Sequence, residues 1–153
     1  YNPATNAWTA AANMPFGRAY HHDNQVVLGD GRVLLSGGVL VPDLLNAQNA
    51  AAIANADIYN PATNTWATTT MSVSRTSHAA TRLSNGLVAV TGGATGLLAT
   101  PTGLDMVSTF DPATNTWADL SNLNEERAAH GAVQMPDGTL LLISGSSAET
   151  VRF

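Results

Sequence analysis

Arg18, Arg75 and Arg127 are each followed three residues later by a histidine: His21, His78 and His130. A guanidinium bonds carbonyls and carboxylates or stacks on an aromatic ring, and an imidazole carries a proton or ligates a metal. Three imidazoles converging on one axis would hold a metal ion. Yet each pair lies in a separate copy of a repeated unit, at the start of an apolar strand, and radial repetition multiplies residues without making a site. No metal is expected. A contact between neighbouring sheets, with guanidinium on carbonyls or on a ring, produces the same recurrence. The cluster His21-His22-Asp23 adds one histidine that does not recur, and it reads as a solvated strand end.

Other chemistry is thinly represented. No nucleophile sits in an elbow motif and no pair of carboxylates recurs, while the adjacent acids Glu125 and Glu126 precede Arg127 in a connecting segment. With no Cys, the chain has no disulfide, thiolate ligand or thiol nucleophile. Asp30-Gly31, Asn85-Gly86 and Asp137-Gly138 lack the alternating carboxylates of a calcium loop. No complete catalytic constellation is present, and no cofactor is expected. Composition narrows the partners further. Charged residues are only 11% of the 153, with six basic against eleven acidic side chains and a net charge of −5. No basic face exists for a nucleic-acid backbone, and no apolar run is long enough to span a membrane as a helix.

The elements that position the Arg and His residues come from a longer repeat. Tyr1-Asn2-Pro3-Ala4-Thr5-Asn6-Ala7-Trp8 recurs as Tyr59-Asn60-Pro61-Ala62-Thr63-Asn64-Thr65-Trp66 and as Phe110-Asp111-Pro112-Ala113-Thr114-Asn115-Thr116-Trp117. Met14, Met71 or Leu123 follows, four residues before each arginine. After each histidine an Asp-Gly or Asn-Gly turn leads into an apolar run ending at Gly37-Gly38, at Gly92-Gly93 or, in the third copy, at Ser144-Gly145-Ser146. Asp-Gly between apolar runs predicts a two-residue hairpin turn with positive φ at both central residues. The inner strands are thereby expected at His21–Leu28 and Arg32–Gly37, His78–Leu83 and Leu87–Gly92, and His130–Met135 and Thr139–Ser144. The first copy holds two extra residues between His21 and Gly31, which suggests a bulge or a longer first strand. Runs such as Leu140 to Ile143 predict strands covered on both faces. The Asn-Pro-Ala-Thr-Asn segment reverses the chain into a second hairpin. The recurring aromatics look at first like sugar platforms, but their repetition predicts core rings packed between adjacent sheets.

An aromatic residue with Asn-Pro or Asp-Pro, Trp seven later, then Arg, His, a hairpin and Gly-Gly, resembles the kelch repeat of β-propellers. The resemblance covers units 1–58, 59–109 and 110–152 and implies an all-β chain of about three four-stranded antiparallel blades. The wording Asp-Gly-Arg-Val-Leu-Leu-Ser-Gly-Gly looks like bacterial kelch-repeat proteins, and the expectation is an extracytoplasmic binding module, secreted, periplasmic or at the cell surface, for a protein, peptide or glycan. In animal kelch propellers, arginines at this motif position bind acidic ligands at one mouth of the central channel. By that resemblance Arg18, Arg75 and Arg127, with His21, His78 and His130, are candidate ligand residues, and the sheet-contact reading stands beside it. The enzyme alternatives implied by the resemblance are a galactose-oxidase-like copper radical oxidase, whose Tyr-Cys cross-link this stretch cannot supply, and a sialic acid mutarotase.

Three blades leave two apolar faces bare. The expectation is either more of the same chain, completing a six- or seven-bladed ring, or a second copy joined head to tail with Tyr1 to Thr9 of one completing the blade of Thr139 to Phe153 of the other. The unequal segments between the Gly pair and the next aromatic predict variable loops on one face. Leu44 to Ala54 has the composition of a short helix.

Overall fold

Each Asp-Gly or Asn-Gly turn joins two short antiparallel strands, but the turn has three loop residues. Leu28 N donates to Arg32 O at 2.8 Å and Gly31 N to Leu28 O at 3.1 Å, with the same pair of bonds at Leu83/Leu87/Gly86 and Met135/Thr139/Gly138. Only the glycines take positive φ (86°, 91° and 90°). The acidic or amide residue before them serves through its side chain, accepting the amide two residues on, as Asn85 Oδ1 does from Leu87 N at 3.1 Å. The expected turn with two left-handed residues is thus replaced by a tight turn plus one left-handed glycine, which adds a residue and keeps the strand twist.

The computed structural model describes residues 1–21, 24–40, 50–97, 100–146 and 150–152. Among these no helix occurs, and every strand pair is antiparallel. The first sheet comprises β1 (Gln25–Val27), β2 (Val33–Ser36), β5 (Asn55–Asn60) and β6 (Thr65–Thr70), in the order β1-β2-β5-β6. The second repeats the plan with β7 (Ala79–Arg82), β8 (Val88–Thr91), β11 (Val107–Asp111) and β12 (Thr116–Asp119), ordered β12-β11-β8-β7. The third has three strands, β13 (Gly131–Gln134), β14 (Leu140–Ile143) and β15 (Thr150–Arg152). Six inner strands therefore lie where the repeats placed them, except that β1 begins at Gln25 rather than His21. His22 and Asp23 lie outside the described residues.

A strand covered on both faces reads as a continuous apolar run, and β8 (Val-Ala-Val-Thr, buried throughout) is one. Val26, Leu28, Leu34, Ala56 and Ile58 of the first sheet meet Val88, Val90 and Phe110 of the second in one core cluster. Val107 and Leu123 meet Leu142 between the second and third. The three sheets are therefore packed face to face, with β7 touching both β1 and β13. Leu140 to Ile143 departs from the expectation of cover on both faces, because Ile143 is 45% exposed.

A fourth sheet arises where variable loops were expected. β3 (Val39–Leu40) and β4 (Ala51–Ala52), from the segment after the first Gly pair, join β9 (Ala94–Leu97) and β10 (Thr100–Gly103) from the segment after the second, in the order β10-β9-β4-β3. The helix expected over Leu44 to Ala54 is not formed at its described end, where Ala51–Ala52 pairs with β3; residues 44–49 lie outside the described set. Alanine's helical preference is weak against strand partners on both sides.

Candidate functional site

The segment entering each sheet places its arginine across the ends of that sheet's middle strands. Arg18 Nη1 donates to the carbonyls of Gly37 (2.9 Å) and Asn55 (3.1 Å), and Nη2 pairs with Asp57 in a fully buried ion pair. Arg75 repeats the plan with Gly92 O (3.2 Å), Met106 O (3.3 Å) and Ser108 Oγ (3.1 Å). Arg127 Nη1 reaches Ser144 O at 3.5 Å. Burial pushes Arg75 down to about 10, against the attraction of Asp119, and pushes Arg18 down against Asp57. Arg75 therefore remains charged at neutral pH. Each guanidinium is engaged with strand ends of its own sheet, and not with the neighbouring sheet that the contact reading expected.

The histidines reach the other way. His78 Nε2 lies 2.9 Å from Ser36 Oγ, and His130 Nε2 lies 2.8 Å from Thr91 Oγ1, so each imidazole joins its own sheet to the last residue of β2 or β8 in the preceding one. The Ser36 hydroxyl points to Asn24 O at 3.5 Å, which leaves its oxygen to accept from His78 Nε2–H. Nδ1 is buried without a partner in both. A bare Nδ1 is tolerable only as the unprotonated nitrogen of a neutral ring, and burial accordingly pushes His78 down to about 3 and His130 to about 4, with the nearby Arg75 and Arg127 adding in the same direction. His21 stands against the second glycine of its own sheet, where a Cβ on Gly38 would lie 3.5 Å from the His21 Cβ.

The Gly pair makes this close approach possible. A Cβ on Gly37 would stand 2.3 Å from Arg75 O and 2.8 Å from His78 Cε1, and on Gly92 2.3 Å from Arg127 O. These are contacts with the next sheet's entry segment. The second glycine faces its own entry segment: a Cβ on Gly93 would stand 2.7 Å from Thr76 O. In the third copy φ identifies the equivalents, with Ser144 (59°) at the place of Gly37 (55°) and Gly92 (56°), and Gly145 (102°) at that of Gly38 (97°) and Gly93 (98°).

The repeated rings are only partly as expected. Tyr59 and Trp66 pair across one hairpin, as do Phe110 and Trp117, with centroids 5.1 and 5.0 Å apart. The partner ring is thus in the same sheet, not the adjacent one, because the seven-residue spacing puts both on one face of a single hairpin. Trp66 does bridge segments through Nε1–H to Ala12 O (2.9 Å), and Phe110 is buried, whereas Trp8 is 82% exposed. Sequence reasoning missed Ser36, Thr91, Asp57 and Ser108 as partners. A hydroxyl before both Gly pairs was the available signal for two of them.

No family model matches this chain, and no curated protein does. Among solved structures, that of YjhT superposes with a TM-score of 0.69 at 17% identity, over 96% of this chain and 55% of that one. The likeness is one of fold, and the chain spans about half the length of that protein.

Proposed function

We propose that the chain is part of a kelch-type β-propeller that serves as a binding module for a protein, peptide or glycan, and that the ligand surface is the fourth sheet. One observation supports this above others: the residues common to the repeats bond the sheets to themselves and to one another, while the segments that differ between copies assemble into a sheet of their own. Function placed on variable connections over a repeated scaffold is the usual division of labour in repeat folds. Thr100, Pro101 and Thr102 of β10 and Leu40 of β3 are exposed on it. Pro101 lacks an N–H, and such residues blunt an edge strand against pairing with another chain. The ligand therefore meets side chains rather than adding a strand.

The test is a glycan array and a peptide library probed with the purified chain, followed by Leu40→Glu and Thr102→Glu. Each substitution is expected to weaken a retained ligand at least tenfold with no change in melting temperature. Binding that survives both while Arg75→Ala abolishes it without unfolding the chain would move the ligand to the arginines, and no ligand retained from either library would overturn the reading.

A further inference from the structure

Two positions govern how one sheet accepts the next, and both change in the third sheet. At the first junction the last residue of β2 is Ser36, and at the second the last residue of β8 is Thr91; each bonds the incoming histidine. The equivalent residue of β14 is Ile143. The next position is Gly37 or Gly92, where a Cβ would stand 2.3 Å from the incoming arginine's carbonyl. Here the third sheet has Ser144, in the same left-handed conformation. The side is also the correct one. Ala132 and Leu142 face the second sheet, so Val133, Leu141 and Ile143, which alternate with them and pair in register, face away. Val133 and Ile143 are 46% and 45% exposed and neither carries a hydroxyl; on the same face β15 sets Thr150 beside Ile143 and Arg152 beside Leu141, so the oxygen stands one strand away from the place that Ser36 and Thr91 hold.

We infer that this face is built for a neighbouring β-sheet whose entry segment carries an apolar side chain in place of the histidine and stands off the Ser144 side chain, and that it selects against the first sheet of a second copy of this chain. A second copy would bring His21 over Ile143, where a buried ring nitrogen finds a methyl instead of an oxygen, and the Arg18 carbonyl onto the Ser144 side chain. Two observations identify a sheet as the occupant. The face continues the stack already formed by two junctions, and the YjhT fold matched by 96% of this chain extends to nearly twice its length. The inference rests on the stacking part of the proposed function and not on ligand binding.

Sedimentation velocity over a concentration series tests it with the wild-type chain, the Ile143→Thr/Ser144→Gly variant and that variant with His21→Ala added. Both substitutions restore the internal junction; Ser144→Gly relieves a positive φ and Ile143→Thr lies on an exposed face, so melting temperatures no lower than that of the wild type are expected. The double variant is expected to self-associate at least tenfold more tightly than wild type, and His21→Ala to reverse the gain. Equal association of wild type and double variant, whether both monomeric or both dimeric, overturns the inference, as does association indifferent to His21→Ala. An internal control avoids the exposed faces: Thr91→Ile should lower the melting temperature and added His130→Val should recover part of the loss. Absence of any recovery also overturns the apolar-partner rule.

Discussion

At the scale of single residues, the bond between His78 and Ser36 shows how a chain with few charges uses its polar side chains. Truncation by His78→Ala leaves a buried hydroxyl and a ring-sized void, and is expected to cost about 2–4 kcal/mol in urea unfolding. The pH dependence has a definite sign. Because the folded-state values of His78 (about 3) and His130 (about 4) lie below the ordinary 6.5, the folded state favours neutral rings and the unfolded chain takes up protons first. Their contribution is intact above pH 6.5 and is lost as pH falls from 6.5 to about 4 for His130 and to about 3 for His78, with a slope of about 1.4 kcal/mol per pH unit for His78 alone. Midpoints of urea unfolding measured from pH 7.5 to 4.5 should fall accordingly; a flat profile would contradict the burial. The arginine clamps differ from one sheet to the next. Asp57 accepts from Arg18 and from Thr68 Oγ1 (2.6 Å), whereas Ser108 holds the same place beside Arg75. Asp57→Ala leaves a buried cation unpaired and is expected to cost about 3–5 kcal/mol, against about 1.5–3 kcal/mol for Ser108→Ala, which loses hydrogen bonds to the Arg75 guanidinium (3.1 Å) and the Asp119 carboxylate (2.8 Å).

At the scale of elements, the turn and the Gly pair decide where strands stop. Gly92→Ala places a Cβ against Arg127 O at a φ of 56° and is expected to cost roughly 3 kcal/mol or more in thermal or urea unfolding. Gly86→Ala, also at positive φ but with open space around it, should cost only about 1 kcal/mol from backbone strain. The difference between the two isolates the sheet-to-sheet contact. The strands themselves were legible, since Val88 to Thr91 and Leu140 to Ile143 are apolar runs bounded by turns and glycine. The Arg-x-x-His spacing was legible as a repeat, but its direction was not. Nothing in the order of residues says that Arg75 turns to Gly92 of its own sheet while His78 turns to Ser36, because the first partner is set by the path of the entry segment and the second by how sheets face one another. The fourth sheet was hidden for a related reason: β3, β4, β9 and β10 are two to four residues long, and the pairing that makes them one sheet, β4 with β9, joins different repeats.

At the scale of the whole molecule, the junctions are where repetition has physical meaning. A core cluster, a histidine bond and a glycine contact coincide at each of them, so a sheet is fixed both by apolar area and by directed bonds. Arg32 adds a link at the periphery, bonding Asn115 Oδ1 (3.0 Å) and Pro112 O (2.5 Å) in the turn between β11 and β12. His78 and His130 are sealed between packed sheets, and the proposed ligand surface lies on the inserted segments instead. The most direct measurement is a proton–nitrogen correlation spectrum of the imidazole rings recorded from pH 7.5 to 4.5. His78 and His130 are predicted to stay neutral down to pH 5, with a proton on Nε2 that exchanges slowly. Rings that titrate near 6.5 with fast-exchanging protons would contradict the account.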